Sequence, residues 1–319
     1  MRTWGVANQE PGPEASPLGK AATVDDFLAL DDHGADALTR VLGRAMDLAD
    51  AWEARRMPQA LSGLRVALVQ DDGGWRNTTA FDLGIQAMGG VCVHAPITLK
   101  GAEDAADLAG YLDNWFDVVV IRTPELRRLR QLASAAKAPV INARTRSNHP
   151  FETLGDLAFA LRRRRSIEGL RVAVVAPDDN ILGSWAEAAA VLPIEVVQIF
   201  DARWHARCFV GSSRFSAVTD MAALASADIV ITDCWPQAAE PAELSTYQVT
   251  EAWLERIPEH ALFIPCPPVT RGREVSAGAM TAAKCCVFQA KAFLLHAQNA
   301  LLEIVSDGLS PQVGGQWRA

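Results

Sequence analysis

The sequence lacks the long apolar runs that cross a membrane. No apolar stretch approaches the roughly 18 to 20 residues of a spanning helix, and the start Met1-Arg2-Thr3-Trp4 has no apolar signal-peptide core. With 50% hydrophobic residues among 319, the chain can nevertheless bury a large core. We therefore expect a cytoplasmic protein of two ordinary-sized domains, with no membrane partner.

Paired cysteines and an excess of positive charge are also missing. The six cysteines show no CxxC spacing, so the pattern favours reduced thiols and predicts neither a disulfide framework nor a zinc site. A net charge of −8 argues against nucleic acid as a general partner. It still allows a locally positive site for a small anion.

Short apolar strands alternate with helical segments along the chain. After a Pro/Gly-rich leader to about residue 22, which we expect to be loosely ordered, a helix is predicted near residues 35–55. The predicted strands lie near residues 66–69, 91–93, 118–121, 140–141, 172–175, 194–199, 229–232 and 262–264. This alternation predicts an α/β protein with two doubly wound parallel-sheet domains, joined by a helix at 151–165.

A glycine-containing loop follows the first strand, at residues 73–79, and we predict a helix after it from about residue 80 to 88. A helix N-terminus offers unpaired N–H groups and a positive dipole end, and Arg76 adds a forked cation. The segment alone allows two interpretations: an oxyanion site, or a tight turn with a solvated arginine.

Unusual polar groups fall at other strand ends as well. Ligands of open α/β sheets bind outside the carboxyl ends of the strands, so these residues predict a cleft between the domains. They are Arg76, His149, Asn180, Asp233, Cys266 and Arg271.

Several motifs together resemble those of ornithine carbamoyltransferases, in the aspartate/ornithine carbamoyltransferase superfamily. The resemblance covers nearly the whole chain. Its motifs are Asn148-His149-Pro150-Phe151-Glu152 with Asp156, Asp179-Asn180 with Ser184, Thr232-Asp233-Cys234-Trp235, Tyr247-Gln248-Val249-Thr250, Pro265-Cys266-Pro267-Pro268 with Arg271-Gly272, and His296-Ala297-Gln298.

The resemblance implies an N-terminal domain of the carbamoyl-phosphate-binding type (1–148), an amino-acid-binding domain (149–289) and a C-terminal helix (290–319) that returns to the first domain. It also implies a homotrimer. In the implied reaction a neutral amine attacks the carbamoyl carbon and phosphate leaves, which requires neither a metal nor a cofactor.

The implied donor site departs from the family pattern. The family's Ser-Thr-Arg-Thr-Arg loop aligns with Gly74-Trp75-Arg76-Asn77-Thr78, which keeps only the first arginine. A further phosphate-binding arginine aligns with Asn114. Each lost cation removes about 1.5 to 3 kcal/mol, so binding of carbamoyl phosphate requires replacements. The candidates are Arg144, Arg146 and Lys100, although for each of them the sequence alone favours an ordinary surface charge.

His149 resembles the family histidine that hydrogen-bonds the carbamoyl group, but the glutamine three residues later is Glu152. Glu152 facing the pocket would repel phosphate, and would hold a cationic group or act as a base. Alternatively, it stabilises the first turn of a helix and points to water.

On the acceptor side the resemblance assigns Asn180 and Asp233 to acceptor binding, Cys266 to the vicinity of the reacting amine, and Arg271 to the carbamoyl oxygen. The family expects Ser-Met where this chain has Gln237-Ala238, which predicts an acceptor other than simple ornithine.

Three functions are compatible with these residues. The first is carbamoyl transfer from carbamoyl phosphate, or a replacement donor, to an unusual amino-acid-like amine in specialised metabolism. The second is a repurposed enzyme on this scaffold that acts on an amino-acid-like or amidine substrate without carbamoyl phosphate. The third is a non-catalytic paralogue, which the retention of His149, Asn180, Asp233 and Cys266 disfavours.

Overall fold

The computed structural model describes residues 25–71, 73–208 and 212–309, so the predicted leader lies outside the described residues. The helices are α1 (Ala35–Glu53), α2 (Trp75–Ala87), α3 (Ala105–Trp115), α4 (Leu126–Ala135), α5 (Pro150–Arg164), α6 (Asn180–Val191), α7 (Pro241–Leu244), α8 (Glu251–Arg256) and α9 (Val287–Gly308). The strands are β1 (Arg65–Gln70), β2 (Val91–Ala95), β3 (Val118–Arg122), β4 (Val140–Arg144), β5 (Leu170–Val175), β6 (Ile194–Ile199), β7 (Phe215–Val218), β8 (Ile229–Thr232) and β9 (Leu262–Pro265).

The first sheet has the order β2-β1-β3-β4, and all its pairings are parallel. Its strands are short apolar runs because helices cover both faces of a parallel sheet and bury the strand residues. At the carboxyl ends of these strands Gln70 of β1 pairs with Arg122 of β3, and Arg122 pairs with Arg144 of β4 after a register shift. Polar side chains from three strands therefore meet at one edge.

The second sheet is also parallel, with the order β7-β6-β5-β8-β9. The strand β8 ends at Thr232 and β9 ends at Pro265, and the two residues are paired in register. Asp233 and Cys266 follow these strand ends, so the topology brings them to the same edge.

The long helices α1, α5 and α9 pack together, and α9 also contacts α2 of the first half. The predicted return of the C-terminal helix is thereby confirmed. The ring of Phe151 on α5 contacts Phe81 on α2 edge-to-face at 5.2 Å. Such an aromatic pair contributes about 0.5–1.5 kcal/mol of stability beyond that of its buried area. It helps to hold α2 against α5.

Two details differ from the sequence predictions. Helix α2 begins at Trp75, not near residue 80, so most of the predicted loop is its first turn. Strand β7 was not predicted, because it lies at the sheet edge and only Phe215 of its four residues is buried. Within the described part of the chain, no helix is both long and apolar enough to cross a bilayer.

Candidate functional site

A cleft of about 200 Å³ is lined by residues that follow the strands of both sheets. The sequence-predicted residues that line it are Arg76, Asn77, His149, Glu152, Asn180, Asp233 and Cys266. The sheets thus bring donor-side and acceptor-side candidates together, as expected for a site at the carboxyl ends of parallel strands.

The N-terminus of α2 forms one wall of this cleft. Its N-cap is Gly74 with φ = 142°, a conformation that L side chains rarely adopt. A Cβ at this position would lie 2.4 Å from Cζ of Arg122, so the glycine also makes room for that guanidinium. The first-turn N–H groups and Arg76 form an electropositive wall suited to an oxyanion.

Arg122 and Arg144 supply further positive charge in the cleft. Each is the last residue of its strand, and the two are register partners. A bound anion would be attracted by both guanidinium groups. Arg144 was one of the proposed replacements, whereas Arg122 was missed because the sequence alignment placed the second phosphate-binding position at Asn114.

The other positions suggested for phosphate binding lie outside the cleft. Asn114 is on α3 and lines a separate surface depression. The ammonium of Lys100 donates to the backbone O of Asp71 at 2.7 Å, and neither Lys100 nor Arg146 lines the cleft. A signal for Arg122 was present in the sequence: a cation that ends a buried apolar strand.

A buried polar network fixes the backbone before His149. Asn148 Nδ2 donates to Glu187 Oε1 at 2.9 Å, and Asn148 Oδ1 accepts from Asn142 and Thr145, each at 2.7 Å. The His149 N–H donates to Ser184 Oγ at 2.8 Å. These bonds tie the loop to α6, so His149 enters the cleft from a rigid support.

The environment of His149 keeps its imidazole neutral. Burial lowers the pKa of His149 to about 4, and the positive charges of Arg122, Arg144 and Lys291 act in the same direction. The Nδ1 atom has no hydrogen-bond partner among the described residues. A neutral imidazole can donate to a carbonyl oxygen without adding a positive charge.

Glu152 lies in the cleft wall and is buried, so the solvent-facing interpretation does not hold. Its Oε2 lies 2.9 Å from Nζ of Lys291 on α9, and its Oε1 lies 3.9 Å from Nε2 of His149. Lys291 also contacts Asp156 Oδ2 at 2.7 Å. The motif comparison did not single out Lys291, although it follows the apolar start of α9 as an isolated cation.

The acceptor side carries negative charge. Asp179 caps α6 by accepting from the Asn180 N–H at 2.7 Å, and Asp233 accepts from the Cys234 N–H at 2.8 Å. Burial, with help from Asp179 and Glu152, raises the pKa of Asp233 to about 7. Burial also raises the pKa of Cys266 well above its usual value, so this group is a thiol at neutral pH.

Four predicted site residues do not line the cleft in this single chain. Thr78 is buried and donates to Gln70 Oε1 at 2.9 Å. Gln237 and Arg271 are exposed on loops. Trp75 lies in a neighbouring hollow of about 530 Å³, which shares Arg76, Glu152 and Pro267 with the cleft.

One group of described residues outside the cleft has the donor atoms of a metal site. These atoms, from Asp82, Cys92 and His94, all lie within 4.8 Å of one another. Asp82 already has protein partners, because its Oδ1 accepts from Gln86 at 2.6 Å and its Oδ2 lies 3.2 Å from His94 Nε2. Hydrogen bonding within the protein therefore accounts for this group.

Comparison with known proteins identifies the class to which this fold and cleft belong. Residues 25–162 match the aspartate/ornithine carbamoyltransferase carbamoyl-P binding domain, and residues 168–305 match the Asp/Orn binding domain of the same family. The chain belongs to the aspartate/ornithine carbamoyltransferase family, which makes it a transferase, and the resemblance seen in its motifs is confirmed.

Particular relatives are ornithine carbamoyltransferases. That of Halorhodospira halophila is 31% identical over 296 residues, covering 88% of this chain and 99% of the relative. The solved structure from Burkholderia thailandensis has a TM-score of 0.82 at 26% identity, covering 88% of this chain and 98% of that one. The Pyrococcus furiosus structure, with a TM-score of 0.84 at 23% identity and coverages of 91% and 100%, matches in fold.

Proposed function

We propose that this protein transfers a carbamoyl or related group from carbamoyl phosphate to an amine of a non-standard, amino-acid-like acceptor in specialised metabolism. The observation that carries the proposal is the convergence of Arg76, Arg122 and Arg144 in one cleft with Asp233 and Cys266. The cleft thus combines a positive wall for a phosphate with a negative wall for an amine.

On the donor side, the phosphate binds at the N-terminus of α2, between Arg76 and the paired Arg122 and Arg144. Three guanidinium groups compensate for the reduced family loop, because each charge-assisted contact contributes about 1.5–3 kcal/mol. The neutral His149 donates to the carbamoyl oxygen, where negative charge develops in the transition state.

The acceptor amine binds towards Asp233 and Asn180. A neutral amine nitrogen forms a bond to the carbamoyl carbon, the C–O bond to phosphate breaks with its electron pair on phosphate, and the proton lost by the nitrogen ends on the departing phosphate. Positioning of both substrates supplies much of the rate. Departures from the family pattern at Glu152 and Gln237 support an acceptor other than ornithine.

The test is product formation from ¹³C-labelled carbamoyl phosphate. The purified protein is incubated with the labelled donor and separate pools of amino acids, diamines and amidines, and mass spectrometry detects ¹³C-carbamoylated products. The proposal predicts one labelled product class and a matching release of phosphate. Absence of product from every pool, with no accelerated phosphate release, would contradict it and favour the repurposed enzyme or the non-catalytic paralogue.

A further inference from the structure

Lys291 is a part-buried lysine that lines the hollow beside the cleft. Its side chain is 13% exposed, and its Nζ lies 2.9 Å from Glu152 Oε2 and 2.7 Å from Asp156 Oδ2. Glu152 and Asp156 are four residues apart on α5, so their carboxylates project from the same face. Helix α9 thus presents one ammonium to two carboxylates of α5.

Glu152 needs a counter-charge if the cleft is to bind an anion. It lies in the same wall as Arg76 and His149, and its carboxylate would offset the attraction of the arginines for phosphate. The ammonium contacts Glu152 on the side away from His149, whose Nε2 lies near the other oxygen, Oε1.

The charge state of this cluster follows from its burial and contacts. The two carboxylates raise the pKa of Lys291 above its usual value, so the side chain remains an ammonium and does not act as a nucleophile or base. Burial opposes ionisation of Glu152, but the nearby cations, chiefly the ammonium of Lys291, outweigh it and lower the pKa of Glu152, which stays ionised. Burial raises the pKa of Asp156 to about 7, so this second carboxyl takes up a proton more readily.

We propose that Lys291 is a positioning residue: it neutralises Glu152 and holds its carboxylate against α9, so that the cleft can bind the doubly charged donor. This inference rests on the proposed function for the identity of the anion. It explains how an acidic residue is tolerated where the family has glutamine: the chain supplies a cation from another helix. Lys291 then acts through Glu152 without touching the reacting atoms.

The binding test compares four proteins by calorimetric titration with carbamoyl phosphate at pH 8: the unaltered chain, Lys291→Met, Glu152→Gln and the double variant. Lys291→Met should weaken binding by about tenfold or more, because an uncompensated carboxylate then faces the ligand. The double variant should regain the affinity of Glu152→Gln, because the carboxylate in the cleft wall is gone and Asp156, which burial already disposes to bind a proton, becomes neutral without its cation. A structural role for Lys291 alone would give no such rescue.

Lys284→Met is the matched control. Lys284 is another part-buried lysine, and its Nζ donates to the backbone O of Leu254 and Ile257, each at 2.8 Å, away from the cleft. This variant should leave the affinity for carbamoyl phosphate unchanged. If Lys291→Met also binds like the unaltered protein, or if the double variant stays as weak as Lys291→Met, the inference is overturned.

A second readout separates this inference from the proposed function. In ligand-free Lys291→Met, buried Glu152 and Asp156 lose their cation while Cys266 and Asp233 stay nearby, so their pKa values rise. The folded state then binds protons more tightly than the unfolded state, and stability falls as pH rises. The loss in Tm caused by Lys291→Met should be larger at pH 8 than at pH 5.5, and adding Glu152→Gln should reduce this loss.

Failure of the unaltered protein to bind carbamoyl phosphate would contradict the proposed function. A Tm loss that does not depend on pH and is not rescued by Glu152→Gln would overturn the role of Lys291.

Discussion

At the residue scale, the cleft depends on a few charges in fixed positions. Arg76 and Asp233 were predicted from the motifs, whereas Arg122 and Lys291 were not. Arg122, at the end of β3, was missed because the family motifs place the further phosphate-binding arginine at Asn114, on α3. Lys291 was missed because its partners, Glu152 and Asp156, are on a helix that is distant in sequence.

Arg76→Ala should abolish turnover and weaken carbamoyl phosphate binding by about 10- to 150-fold, the equivalent of about 1.5–3 kcal/mol. Because Arg76 is exposed, the Tm should stay unchanged. Calorimetry and thermal unfolding measure the two effects. Arg127→Ala, an exposed arginine on α4, is the control and should leave both unchanged. Full activity of Arg76→Ala would exclude the phosphate-site interpretation.

Asp233→Asn should raise the KM for the acceptor and remove the rising limb of the pH profile of kcat/KM. Since the pKa of Asp233 is raised to about 7, the carboxylate that attracts a cationic acceptor forms only as pH rises through this value. In the unaltered protein, kcat/KM should therefore increase across this range, and in the variant this step should disappear. An identical profile in both proteins would exclude Asp233 from acceptor binding.

At the element scale, hydrophobic periodicity predicted eight of the nine strands in the described residues, because each of the eight is a short apolar run. The start of α2 was predicted five residues too late, since Gly73 and Gly74 mark a turn but Trp75 to Thr79 continue as helix. This difference matters because it places Arg76 and Asn77 within the first turn, beside the unpaired N–H groups.

Gly74→Ala tests this turn. The new Cβ would meet the guanidinium of Arg122 at 2.4 Å and would adopt an unfavourable φ of 142°, a strain of about 1–3 kcal/mol. We expect a lower Tm and weaker carbamoyl phosphate binding, because Arg122 must move. Gly63→Ala is the control: Gly63 also has positive φ, at 81°, but no atom lies within 4 Å of its Cβ position. Gly63→Ala should lower the Tm without changing the affinity for carbamoyl phosphate. Equal losses of this affinity in both variants would contradict the role assigned to Gly74.

At the scale of the whole molecule, two parallel sheets and a returning C-terminal helix place both halves of the site in one chain. This architecture was predictable from the alternation of strands and helices. The exposure of three apolar side chains on α2 and β2 was not predictable from the sequence, because burial depends on the assembled fold. These side chains are Trp75, Leu83 and Val91. Apolar exposure of this kind is consistent with an interface between copies.

We predict a homotrimer in solution. Light scattering coupled to gel filtration should give three times the chain mass of 34.4 kDa. Leu83→Glu, which puts a charge on an exposed apolar position, should shift the mass towards the monomer, whereas Glu168→Ala at another exposed position should not. A monomeric unaltered protein would contradict the expected assembly.

The central claim is that the cleft binds carbamoyl phosphate despite its altered loop. Calorimetric titration of the purified protein with carbamoyl phosphate, and separately with phosphate, at low salt tests this claim most directly. The account predicts binding of carbamoyl phosphate in the micromolar range, about −8 kcal/mol, and weaker binding of phosphate. No detectable binding of either ligand would contradict it and would mean that the site acts without this donor.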